Sequence, residues 1–89
     1  MYAVILHNDD FTTMEFVVWV LVQVFGHSAA SATRLMLQVH QQGAARAGVY
    51  PRQVAETKCE ETLTLAEEQG MPLLVTIEPE SDEGVPGSA

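Results

Sequence analysis

The sequence predicts an α+β domain, a two-layer sandwich in which three helices cover a small three-stranded sheet in the order β-α-α-β-α-β. Three observations lead to that class. Apolar runs near both ends and a weaker one near the middle are too short for buried helices and read as strands. Three longer stretches repeat apolar residues every three to four positions, as one face of a helix does. Glycine or proline stands at most of the boundaries between them.

The first strand is residues 2 to 6, apolar without interruption and bounded by His7-Asn8-Asp9-Asp10. Thr12 and Glu15 have the spacing of a capping box, and the stripe Met14, Val17, Val18, Leu21 and Phe25 follows, with Gly26 as the left-handed stop. Ser28 caps a second helix, whose stripe is Ala32, Leu35, Met36 and Val39, and Gly43 ends it. His40 shares a face with Met36, four residues earlier. Residues 45 to 50 suggest a short strand weakened by Gly48. Pro51 suits the start of a third helix, with Val54, Ala55, Cys59, Thr62, Leu63 and Ala66 expected on its inner side and Gly70 at its end. Pro72 to Ile77 form the last strand, stopped by Pro79. Residues 1 to 79 are thus expected to be one domain, and the acidic, apolar-poor stretch from Glu80 to Ala89 is expected to be a disordered tail. No internal repeat is visible.

Composition narrows the function. A chain of 89 residues has material for one core, and 47% hydrophobic residues with a mean hydropathy of +0.09 fit a folded domain. No apolar run approaches the roughly 20 residues of a membrane span, and the start lacks the basic region of a secretory signal, so a cytoplasmic location is expected; the chain is also expected to be a monomer. The formal charge of −8, from 12 acids against 4 bases, repels phosphate backbones and argues against nucleic acid. One cysteine, Cys59, allows neither an internal disulfide nor a thiolate zinc cluster, and it reads as a small apolar helix residue. No cofactor is expected.

The stretch LHNDDFTTMEF, Leu6 to Phe16, concentrates polar acceptors between a strand and a helix. Asn8, Asp9 and Asp10 fit a turn, because these side chains bond their own backbone. They also fit a receptor for a cation, if His40 at the end of the second helix meets them above the sheet. A metal site of His7, Asp9, Asp10 and His40 is a further alternative on ligand type, although no spacing of a zinc helix or a calcium loop is present. Catalysis lacks a recognisable nucleophile. Met14, Met36, Val17 and Val39 read either as core or as an adaptable apolar pocket, since thioethers repack around differently shaped guests.

Several blocks in order, VILHNDDFTTMEFV, VFGHS, LMLQVHQQG, GVYPRQVAETK and PLLVTIE, resemble the ClpS family from about Tyr2 to Glu78. These are adaptors that recognise N-degrons for the Clp AAA+ protease. The resemblance implies a non-enzymatic protein that binds substrates with a free first residue Phe, Tyr, Trp or Leu and passes them to a ClpA-like or ClpC-like unfoldase. It places Asn8, Asp9 and His40 at the substrate's α-amino group. Leu6, Thr12, Met14, Val17, Met36, Val39 and Leu73 would surround the first side chain, with Met14 as a gate against β-branched residues. Gln53, Glu56 and Lys58 fall in the segment expected to dock on the unfoldase's N-terminal domain. Departures are Gln53 where the family often has an acid, Trp19 where a polar residue is usual and Thr13 where proline is common; family members also commonly carry a flexible segment before the first strand. A bacterial cytoplasm is the expected location, ahead of a plastid stroma. The same topology resembles the C-terminal domain of the ribosomal stalk protein, so a structural interaction module is the alternative that fold alone leaves open.

Overall fold

A computed structural model describes residues 1 to 80; most of the expected tail, residues 81 to 89, lies outside the described residues. The chain runs β1 (Tyr2–His7), α1 (Met14–Gln23), α2 (Ala29–Gln42), β2 (Ala44–Tyr50), α3 (Arg52–Glu68) and β3 (Leu74–Pro79). This is the order expected from the sequence. The first strand is the middle one: the sheet order is β2-β1-β3, and both neighbours pair with β1 antiparallel.

That placement follows from the alternation of side chains along β1. Val4 and Leu6 are fully buried and point at the helical layer, and Leu6 lies opposite Ala45 on one side and Val75 on the other. Ile5 and His7 point to the opposite face, where a His7 ring nitrogen bonds the Thr76 hydroxyl at 2.8 Å. The β1–β2 register slips between Val4 and Ile5, which pair with Gly48 and Arg46, so Ala47 bulges out of the ladder. Its carbonyl accepts a hydrogen bond from His27 Nε2 at 2.6 Å. Gly48, the residue that weakens this strand in the sequence, has a packing reason: a Cβ there would stand 2.7 Å from Cζ of the Tyr50 ring that lies over it.

The helical layer departs from the expected stripes in two places. In α1 the buried residues are Phe16, Val17, Val20 and Leu21, followed by Val24, while Val18 and Phe25 are only partly covered. In α3 the inward ridge is Ala55, Thr62 and Ala66. Val54 and Leu63, expected inside, are 42% and 41% exposed. The reason is steric. A ridge of small residues lets α3 lie close to the sheet, and residues one position off that ridge are rotated by about 100° to its sides. Thr62 is fully buried, and its hydroxyl donates to the Lys58 carbonyl at 2.8 Å. Lys58 itself reaches across to α1, donating from Nζ to the Val24 carbonyl at 2.8 Å, with the Tyr50 ring 5.9 Å away. β2 begins one residue earlier than expected, at Ala44, and β3 two residues later, at Leu74.

Candidate functional site

The end of β1 and the end of α2 are joined through one glycine. Gly43 closes α2 with φ +93, a conformation that L side chains rarely adopt, and its N–H returns to the Val39 carbonyl at 3.0 Å. Its own carbonyl then accepts from the Asn8 N–H at 2.8 Å. Asn8 is therefore pinned beside the last turn of α2, the turn that carries His40.

The loop from Asn8 to Thr13 is folded around Asp9. The Asp9 carbonyl accepts from the Thr12 N–H at 3.2 Å. Its carboxylate oxygen Oδ2 accepts from the Phe11 N–H at 2.9 Å and from the Thr12 hydroxyl at 3.1 Å. This corrects the helix start expected from the sequence. Thr12 turns its hydroxyl back to the carboxylate, and Thr13 is the N-cap of α1, accepting from the Phe16 N–H at 3.1 Å. The Thr12 to Glu15 capping box does not form: α1 begins one residue later than that spacing implies, so the free N–H of the first turn, that of Phe16, falls to the Thr13 hydroxyl.

Above this loop and between α1 and α2 lies a hollow of about 180 Å³. Its polar rim is Asn8, Asp9, Asp10, Thr12 and His40, and its apolar wall is Met14, Val17, Met36 and Val39. All three residues expected at an amine and five of the seven expected around a side chain meet here. Leu6 and Leu73 do not line it; both are core residues, 0% and 4% exposed. Asp10, which the resemblance leaves out of the amine site, is also on the rim.

The chemistry of this hollow is that of a receptor for a cation attached to an apolar group. The rim offers amide, carboxylate and imidazole acceptors and contains no Lys or Arg. The methionine side chains give a deformable wall. Size agrees with a ring-bearing guest, since an apolar cavity of about 150 Å³ is enough to take benzene. Among the described residues no group of three or more His, Cys, Asp or Glu is placed to hold a metal ion, and His7 bonds Thr76 instead of joining the rim.

Elsewhere, Gln53 and Glu56 flank a shallow groove on α3 together with Thr57, Cys59, Glu60 and Ile77, while Lys58 is turned under toward Val24. Burial and the nearby Glu60 carboxylate push the Cys59 thiol above its ordinary range. Trp19 is 43% exposed and stacks on Phe16 with ring centroids 5.9 Å apart. No helix among the described residues is long and apolar enough to cross a membrane.

Fold and hollow together define a small α+β binding domain with an acid-rimmed apolar socket. Comparison with known proteins makes the class specific. The family model described as ATP-dependent Clp protease adaptor protein ClpS matches residues 1 to 76. The ClpS adapter of Desulfatibacillum aliphaticivorans is 55% identical over 90% of this chain and 77% of its own length, and that of Lawsonia intracellularis is 52% identical over 93% and 75%. A ClpS2 structure from Agrobacterium tumefaciens, bound to L-phenylalaninamide, superposes with a TM-score of 0.85 at 46% identity, covering 89% of this chain and 95% of that one. The chain belongs to the ClpS family of Clp protease adaptors.

Proposed function

We propose that this adaptor binds N-degrons, seating a free N-terminal Phe, Tyr, Trp or Leu in the hollow, and delivers the attached protein to the N-terminal domain of a ClpA-like or ClpC-like unfoldase without breaking a bond itself. The observation that carries the reading is the meeting of an acceptor rim with a methionine and valine wall in one socket. An α-amino group with a pKa near 8 is mostly cationic at neutral pH, and Asn8, Asp9 and His40 are the acceptors for it. Met14, Val17, Met36 and Val39 take the side chain. The ligand of the Agrobacterium relative, L-phenylalaninamide, offers that pair of features, a free amine beside a benzyl group.

Neither half of the site suffices alone. Burying a large apolar side chain contributes about 1.5 to 3 kcal/mol, and a hydrogen bond to a charged group about 1.5 to 3 kcal/mol. Against the entropy cost of association, several such terms give a net of about −8 kcal/mol, or micromolar affinity. An adaptor that must release its cargo is served by a grip of that strength. The docking face we assign to the unfoldase is the α3 surface carrying Gln53, Glu56 and Lys58.

Fluorescence anisotropy with a series of peptides differing in the first residue tests the reading. Peptides beginning with Phe, Tyr, Trp or Leu are expected to bind, and those beginning with Met-Ser are not. Equal binding of both groups would overturn the assignment, as would undiminished binding of the Phe peptide to Asp9→Ala and His40→Ala.

A further inference from the structure

Thr12 sits on the rim of the hollow, where a threonine methyl would serve as wall. Its hydroxyl is committed elsewhere. It donates to Asp9 Oδ2 at 3.1 Å, and the Phe11 N–H donates to the same oxygen at 2.9 Å. Two donors on one oxygen fix the carboxylate plane of a half-buried residue and leave the second oxygen, Oδ1, without a hydrogen-bond partner among the described residues. Asp9 would otherwise turn freely about its side-chain torsions, and ordering it on ligand binding would cost affinity.

We propose that Thr12 is a positioning residue for the amine site: its hydroxyl holds Asp9 so that Oδ1 faces the guest's ammonium before the guest arrives. This deepens the N-degron reading and rests on it. The preorganised atom is the acceptor, and the threonine acts through it. A wall residue would work by its shape, so the two roles separate under substitutions that change one property at a time. Thr12→Val keeps the shape and removes the donor. Thr12→Ser keeps the donor and removes the methyl.

The test is anisotropy with a free-amine Phe peptide on the full chain, using the parent, Thr12→Val, Thr12→Ser, Asp9→Ala and the double variant Thr12→Val/Asp9→Ala, each checked for a cooperative unfolding curve. Positioning predicts that Thr12→Val weakens binding about five- to tenfold, the scale of one lost hydrogen bond. Thr12→Ser should stay within about twofold of the parent, and Thr12→Val should cost nothing further once Asp9 is alanine. Parent-like binding by Thr12→Val, or a loss that persists in the Asp9→Ala background, overturns the inference while leaving the amine site intact. Parent-like binding by Asp9→Ala overturns both.

Discussion

Lys58→Met separates two roles that the same side chain has been given. As a docking residue, Lys58 would act on the unfoldase and leave the fold indifferent to its loss. Its geometry argues for a large internal share. Nζ lies 2.8 Å from the Val24 carbonyl, at the C-terminal end of α1, and 5.9 Å from the centre of the Tyr50 ring. A hydrogen bond from a charged donor contributes about 1.5 to 3 kcal/mol when well shielded. A cation at a helix C-terminus adds about 0.3 to 1 kcal/mol. Because the side chain is only partly covered, water replaces some of both when the ammonium is gone, and about 1 to 2 kcal/mol is the expected loss. Methionine keeps most of the aliphatic stem, so packing is nearly constant. In a domain of this size such a loss lowers the melting temperature by roughly 5 to 15 °C. Thermal unfolding of parent and variant, followed by circular dichroism, reads it directly. A midpoint unchanged within about 1 °C would refute the internal role and return Lys58 to the docking face alone.

Three further outcomes follow from the same geometry. Gly43→Ala meets no atom within 4 Å, so its cost is the left-handed backbone alone, about 1 to 2 kcal/mol by urea unfolding; because Gly43 also pins Asn8, peptide affinity should fall with it, whereas Gly26→Ala, at φ +72 and remote from the hollow, should lose stability only. Met14→Ala should admit Ile and Val at the first position of a peptide, read by anisotropy, and unchanged rejection of both would remove the gate. Burial pushes the Cys59 thiol and the Tyr50 phenol up from 9.0 and 10.0, so the folded state holds these protons more tightly than the unfolded one. Their contribution is therefore complete below the ordinary values and is lost as pH rises past them; urea midpoints should fall above about pH 9, and a midpoint rising there would contradict the sign.

Element order was legible because most boundaries in this chain carry a backbone signal: Ser28 as a cap, Gly26, Gly43 and Gly70 as left-handed stops, Pro51 before α3. Side-chain assignments were less so where two adjacent residues offered the same chemistry. Thr12 and Thr13 can each cap a helix, and the residue at which α1 starts, which their side chains alone do not fix, makes Thr13 the cap while Thr12 bonds Asp9. Val54 and Leu63 are apolar enough for a core, but α3 approaches the sheet through Ala55, Thr62 and Ala66, and the depth of that approach is a tertiary fact. The bulge at Ala47 has no local mark except Gly48. In the hollow, the rim followed from a polar run at a strand end, whereas Leu6 and Leu73 are buried core residues that do not line it, a distinction that spacing along the chain does not carry.

The most direct measurement is the affinity of one labelled peptide beginning with Phe, compared with the same peptide acetylated at its amine. Acetylation leaves the ring untouched and removes the positive charge and two of the donors. If a cationic terminus is gripped by Asn8, Asp9 and His40 while the ring sits against the methionines, the free peptide binds at about micromolar and the acetylated one loses at least about a hundredfold. Equal affinity for the two would mean that the acceptor rim grips nothing, and the account would be wrong at its centre.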